Sequence, residues 1–251
     1  MNVRPACEHQ ADVYLACRGV AYHAVPVGRA TPCPHRIIAP VLDGRIMALN
    51  ADTGHRAPIP GSAASSRCRA TSVTSPAGFH FVTSPPLVLN NRMILGGLVY
   101  DNQAEQEPSG AVRAFDPVTG AIVWAWDVGR PDQVVHPNDG TVLTRGTPNA
   151  WGVYTADPAL NIVYLPLGNA TPNYHGGNRR PFDDAYDSSV VAFDITTGQP
   201  RWHFQTTHHV WDMDLSIGPS LADLPVAGGA TAPTLIQTTK RGELFMLERL
   251  T

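Results

Sequence analysis

Three segments of this chain repeat one another: ALNADTG at 48–54, AFDPVTG at 114–120 and AFDITTG at 192–198. Each follows an alternating apolar run, GRIMAL, GAVRAF or SSVVAF, whose period of two is that of a strand with one buried face. In the Asp/Asn-x-x-Thr-Gly that follows, the first side chain is placed to cap a tight turn and the glycine supplies the positive φ that closes it. The second and third copies continue into AIVWAWD (121–127) and QPRWHFQT (199–206), return strands that both carry tryptophan. A hairpin repeated in tandem predicts four-stranded units arranged around an axis, a β-propeller; a β-sandwich predicts no such repetition. The copies start 66 and 78 residues apart, longer than the ~40 to 50 of common blades, so long inserts must carry the difference, and inserts are where functional residues concentrate. Further strand signals occupy 86–100, 161–168 and 234–248, and the whole chain reads as β. MLERLT at 246–251 matches the repeat in register up to the residue before its glycine, which predicts part of a larger ring, about half.

Composition supports this reading by exclusion. The 22 glycines and 23 prolines among 251 residues exceed the usual ~12% and favour many short elements over long helices. A net charge of −3 gives no basic footprint for nucleic acid. No apolar run approaches the ~18 residues of a membrane span, and MNVRPACEHQAD lacks the basic-then-apolar profile of a signal peptide. Cys7, Cys17, Cys33 and Cys68 form no C-x-x-C, and both free thiols and three disulfide pairings stay open. Among 18 basic residues only Lys240 is a lysine, either a position where a compact ammonium serves and a guanidinium does not, or a lysine retained by chance.

Several loops could carry chemistry. HHVWDMDL at 208–215 follows directly on a repeat hairpin and holds Asp212 and Asp214; such carboxylates serve either as turn caps or, near a cation, as a general base or metal ligands. Adjacent histidines on a strand point to opposite faces, which argues against His208 and His209 sharing one metal. Asp101 and Asn102 end an apolar strand, where a hard cation collects oxygen ligands or a turn is capped. Asn169 and Thr171 offer further oxygens in the glycine-flanked loop 165–178. Trp151 stands at a loop end, either as a flat platform for a planar ligand or as a core residue.

Taken in order, CRGVAYH (17–23), the run 36–54, Asp101-Asn102 with PSGAVRAFD (108–116), RGTPNAW (145–151), LPLGNATP (165–172), HFQTTHHVWDMDL (203–215) and Lys240 resemble the membrane-bound pyrroloquinoline-quinone (PQQ) dehydrogenases of the glucose/quinate/shikimate family. The resemblance implies an all-β, eight-bladed quinoprotein propeller, of which residues 1–251 would be a fragment lacking an N-terminal membrane anchor and the C-terminal blades. It implies PQQ and Ca²⁺ or Mg²⁺ as cofactors. Its substrate would be a sugar or cyclic polyol, with glucose oxidised to gluconolactone as the leading case, and its electron acceptor ubiquinone at the periplasmic face of the inner membrane. Carried over residue by residue, Asp212 resembles the general base, Lys240 the cation at the PQQ carbonyls, Trp151 the indole stacked on the PQQ plane and Thr171 a cofactor contact. Asp101, Asn102 and Asn169 resemble the metal-ligating set. Glucose-preferring members carry a histidine shortly before the CRG string where this chain has Tyr14, so quinate, shikimate and other polyols stay open. Completing the site would require the missing blades or self-association.

Two readings of other classes follow from the same residues. A propeller scaffold that binds envelope proteins would share the repeats but has no need of Asp101, Trp151, Asp212 and Lys240 in this order. A glycosyltransferase built on Asp212-x-Asp214 would need an α/β nucleotide-binding pattern around the motif, and none is present.

Overall fold

The computed structural model describes residues 19–41, 45–57, 79–105, 107–136, 140–208 and 212–250. Among these residues, four antiparallel sheets of three or more strands follow one another along the chain, with one two-stranded pair beside them. The first contains β1 (Ala21–Ala24), β2 (His35–Pro40) and β3 (Ile46–Asn50). The short strands β4 (His80–Phe81) and β7 (Leu98–Val99) pair with each other. The second sheet is ordered β10-β9-β8-β6-β5, from β5 (Leu87–Leu89), β6 (Arg92–Leu95), β8 (Val112–Phe115), β9 (Ile122–Trp126) and β10 (Val134–Val135). The third joins β11 (Thr155–Asp157), β12 (Ile162–Pro166), β13 (Ser189–Asp194) and β14 (Pro200–Gln205), and the fourth β15 (Ser220–Pro225), β16 (Thr231–Thr238) and β17 (Leu244–Glu248).

The repeated turns form as their composition requires. Oδ1 of Asn50 accepts the backbone N–H groups of Asp52 and Thr53, that of Asp116 those of Val118 and Thr119, and that of Asp194 those of Thr196 and Thr197. The closing glycines Gly54, Gly120 and Gly198 have φ of 72°, 71° and 75°. The return strands expected after the second and third copies are β9 and β14.

Strand alternation then stacks the sheets face to face in chain order. In β6, Met93 and Leu95 pack with Ile38, Ile46 and Ala48 of the first sheet. Ile94 points the other way and joins Trp124, Trp126, Val163, Leu165, Val191 and Phe193 between the second and third sheets. Ile162, Tyr164, Val190 and Ala192 face Leu235 of the fourth. Trp126 meets Phe193 edge to face at 4.8 Å between ring centroids, while Trp124 donates from Nε1 to the Ile195 carbonyl at 3.1 Å, tying one repeat to the turn of the next. Arg36, fully buried, makes the equivalent tie from the first sheet to the carbonyls of Pro117 and Val118.

One sequence expectation needs amendment. The insert 172–187 is not β: it holds a 3₁₀ turn and the helix α1 (Pro181–Tyr186), begun by a proline in its first turn and by the Asp183 carboxylate accepting the backbone N–H of Arg180 at 3.0 Å. Cys33 is a buried free thiol; Cys7, Cys17 and Cys68 lie outside the described residues, as do Tyr14 and His209.

Candidate functional site

The predicted site residues converge at one end of the sheets. Asn169 and Thr171 leave the end of β12, Trp151 precedes the start of its partner β11, Asp212 precedes β15, and Lys240 follows the end of β16. Antiparallel pairing makes these ends coincide: Thr155 faces Tyr164, and Ser220 faces Ile236. Asp101 and Asn102 reach the same end from β7.

Asp212 and Lys240, distant in sequence, meet directly. Lys240 Nζ donates to Asp212 Oδ1 at 2.8 Å and to the Asp212 carbonyl at 3.2 Å. Both side chains keep substantial exposure, 44% and 37%, so the pair adds only about 0–1 kcal/mol of stability. Asp212 adopts a φ of 53°, a conformation uncommon outside glycine.

Two residues further on, Asp214 does the opposite. Its Oδ1 accepts the Asn169 backbone N–H at 2.6 Å and its Oδ2 accepts Trp151 Nε1 at 3.1 Å. Burial pushes its carboxyl above the usual range, opposed by the Asn169 N–H, the Lys240 charge and the indole N–H. Trp151 is therefore half-buried and fixed by its edge. Thr83 and Ser84 hold its backbone from the other side, their hydroxyls donating to the Trp151 carbonyl at 2.8 and 2.7 Å.

The loop after β12 is held from several directions. Asn169 Oδ1 accepts the Met213 N–H at 3.0 Å, and its Nδ2 donates to Ser188 Oγ at 3.3 Å. The next N–H, of Ala170, is bound by Asp187 Oδ1 at 2.6 Å. Burial raises the Asp187 carboxyl to about 7 against that N–H and the nearby Arg179. Thr171 donates its N–H to the Gly146 carbonyl at 3.0 Å; a Cβ on Gly146 would meet the Thr171 carbonyl at 2.9 Å, so the two loops touch backbone to backbone.

Asp101 and Asn102 are attached to this assembly through Asn173 and Tyr174. Burial raises the Asp101 carboxyl, a hydrogen bond from the Asn173 side chain lowers it, and the charges of Glu107 and Asp212 raise it further. Asn102 Oδ1 accepts the Tyr174 N–H at 3.0 Å. Sequence reasoning did not single out Asn173, Asp187 or Ser188, and it treated Asp214 as a companion of Asp212. Only the second aspartate of Asp-x-Asp carried any local signal.

The donor set suits a hard cation beside a polar planar ligand. It consists of oxygens from Asp101, Asp212 and the amides of Asn102 and Asn169, each amide oxygen already accepting one N–H and retaining a second lone pair. Among the described residues no three His, Cys, Asp or Glu side chains cluster as a self-sufficient metal site, so further ligand oxygens would have to come from amides or from a bound group. Two buried oxygens flank Asn169 without a hydrogen-bond partner among the described residues, Thr171 Oγ1 and Asn149 Oδ1. Buried polar atoms are rarely left so, and both fit a ligand that brings its own polar edge.

Antiparallel meanders stacked face to face in chain order define part of a β-propeller, with oxygen-bearing loops gathered at one end. The chain belongs to the family "PQQ: Glucose/ethanol/alcohol dehydrogenase, beta-propeller domain", whose model matches residues 2–251. It is 38% identical over 242 residues to quinoprotein glucose dehydrogenase of Escherichia coli (strain K12), covering 94% of this chain and 30% of that protein. To the glycerol dehydrogenase large subunit of Gluconobacter oxydans (strain 621H) it is 40% identical over 247 residues, covering 96% and 33%. Among solved structures it resembles the quinohemoprotein alcohol dehydrogenase ADHIIG of Pseudomonas putida HK5, with a TM-score of 0.64 and 28% identity over 86% of this chain and 32% of that one. The chain spans about a third of the length of these relatives.

Proposed function

We propose that this chain forms the PQQ-binding side of an eight-bladed quinoprotein dehydrogenase that oxidises a sugar or cyclic polyol and passes the electrons to ubiquinone at the periplasmic face of the inner membrane. The observation that carries this reading is the Asp212–Lys240 pair, held at 2.8 Å beside the loop with the unpartnered Thr171 hydroxyl. On this reading the described sheets supply about half of the ring, and further blades or self-association close the site.

When bound, PQQ supplies a two-electron acceptor for the hydride of the substrate carbon, and Ca²⁺ or Mg²⁺ supplies Lewis acidity. The protein's own residues do the rest. Asp212 accepts the substrate hydroxyl proton: Lys240 engages Oδ1 and the carbonyl and so fixes the carboxylate plane, leaving Oδ2 to take the proton. Trp151, locked through Nε1 to Asp214, offers its indole face as a floor for a planar group. Thr171 Oγ1 and Asn149 Oδ1, buried without a hydrogen-bond partner among the described residues, would meet the polar edge of that group, and Asp101, Asn102 and Asn169 would hold the cation.

Glucose, oxidised to gluconolactone, is the leading substrate, with quinate or shikimate as the alternative. Near-equal identity to relatives named for glucose and for glycerol means that similarity alone does not choose the substrate.

The test is a PQQ titration with Ca²⁺ or Mg²⁺, read by tryptophan quenching, followed by dye reduction with glucose, quinate, shikimate and glycerol. Saturable quenching with turnover of one of these supports the reading; absence of PQQ binding in the intact protein overturns it. Asp212→Asn is expected to lower turnover by about 10²–10⁴-fold with PQQ still bound. Wild-type turnover in that variant would remove Asp212 from its role.

A further inference from the structure

Asn173 is almost fully buried, 3% exposed, in the loop that follows β12. Its side-chain amide works in two directions. Oδ1 accepts the backbone N–H of Asp212 at 2.9 Å, and Nδ2 hydrogen-bonds the carboxylate of Asp101. One amide therefore touches both an acid from the loop after β7 and an acid from the loop before β15.

Each contact answers a need visible in the structure. Asp212 sits at a φ of 53°, a conformation that persists only where the surroundings enforce it, and its N–H and C=O are held by Asn173 and Lys240 respectively. Asp101 lies near the like charges of Glu107 and Asp212, and an amide N–H is a partner that orients its carboxylate without adding charge. The chemistry at 173 is correspondingly narrow. A carboxylate there would accept the Asp212 N–H but repel Asp101, whereas an ammonium would donate to Asp101 but could not accept from Asp212. Among side chains of this length only asparagine does both.

We infer that Asn173 is a positioning residue that sets the Asp101 and Asp212 carboxylates relative to each other for the reaction. The inference rests on the reading of Asp212 as proton acceptor and deepens it. Asn173 touches no reacting atom; it acts through the two acids, so its loss should appear in the chemical step more than in ligand binding.

The experiment compares wild type, Asn173→Ala and the isosteric Asn173→Asp in the intact protein. Its readouts are kcat and KM, PQQ titration by tryptophan quenching, thermal midpoint, and hydrogen exchange of the peptide carrying Asp212. Both variants should lose about 100-fold in kcat, with KM and the PQQ midpoint within about twofold of wild type, because a misplaced group costs rate more than affinity. Exchange at the Asp212 amide should accelerate about tenfold in Asn173→Ala, which lacks the acceptor, and stay near wild type in Asn173→Asp, which keeps it. Unchanged kcat in both variants, unchanged exchange in Asn173→Ala, or a kcat loss matched by equal losses of PQQ affinity and thermal midpoint would each overturn the inference. A wild type that turns over no alcohol defeats the dehydrogenase reading itself; an active wild type with indifferent variants defeats only the role of Asn173.

Discussion

The two ends of the sheets use aspartate in opposite ways. At the hairpin end, Asp116 and Asp194 each cap a turn through two backbone N–H groups and pair with an arginine, Arg29 at 2.6 Å and Arg201 at 2.8 Å. Burial raises these carboxyls, but the turn N–H groups and the arginines together outweigh it, and both end below the usual range. At the loop end, Asp101, Asp187 and Asp214 also accept hydrogen bonds, yet burial wins and all three lie above it. One end uses carboxylates to secure the fold; the other holds them where ionisation is costly, the arrangement expected of a reactive site.

Substitutions can separate these roles. The largest expected effect on stability lies in the interface between the second and third sheets. Trp124 is buried, stacks on Phe193 at 6.4 Å and carries the bond to Ile195, so Trp124→Ala should cost about 3–5 kcal/mol. Urea unfolding checks this. A loss under about 1 kcal/mol would mean that the sheets do not depend on that contact.

A smaller effect distinguishes neighbouring acids at the loop end. Asp214→Asn turns an amide N–H toward one of two donors, Trp151 Nε1–H or the Asn169 N–H, and should cost about 1–3 kcal/mol by leaving a donor unpaired. Asp212→Asn, on a half-exposed side chain, should cost about 0–1 kcal/mol while lowering turnover by about 10²–10⁴-fold. Paired urea midpoints and rates for the two variants test the contrast. Equal stability losses would erase it.

Much of this organisation is legible in the chain because it is local. Asn50, Asp116 and Asp194 cap turns within three residues of themselves, and the glycine of each turn sits at a fixed offset, so the hairpins and their repetition can be read directly. The convergence of Asp101, Trp151, Asn169, Thr171, Asp212 and Lys240 was readable only through family resemblance, since no local rule links positions on five different loops. Asn173 escaped altogether. Its role exists only because the loops of β7, β12 and β15 meet, and an asparagine after Thr-Pro has the composition of an ordinary turn. α1 escaped for a different reason: six residues are too few to show a helical period, and its start is secured by Arg180 donating to the carbonyls of Arg145 and Gly146 in a distant loop.

The smallest effect concerns the hairpin end and depends on pH. Because the folded carboxyl of Asp194 lies below its unfolded value near 3.9, its contribution is present above that pH and is lost as pH falls through the folded value. Asp194→Asn keeps an oxygen for the Thr196 and Thr197 N–H groups and removes the charge and the Oδ2 acceptor facing Arg201, a pair whose arginine is 55% exposed. The cost at pH 7 should therefore be at most about 1 kcal/mol. As pH falls from about 3.9 through the lower folded value, that contribution is lost and the two proteins should converge in urea midpoint. A difference that persists undiminished in acid would mean that Asp194 acts through the shape of its turn and not through its charge, and the electrostatic contrast between the two ends would then rest on Asp116 alone.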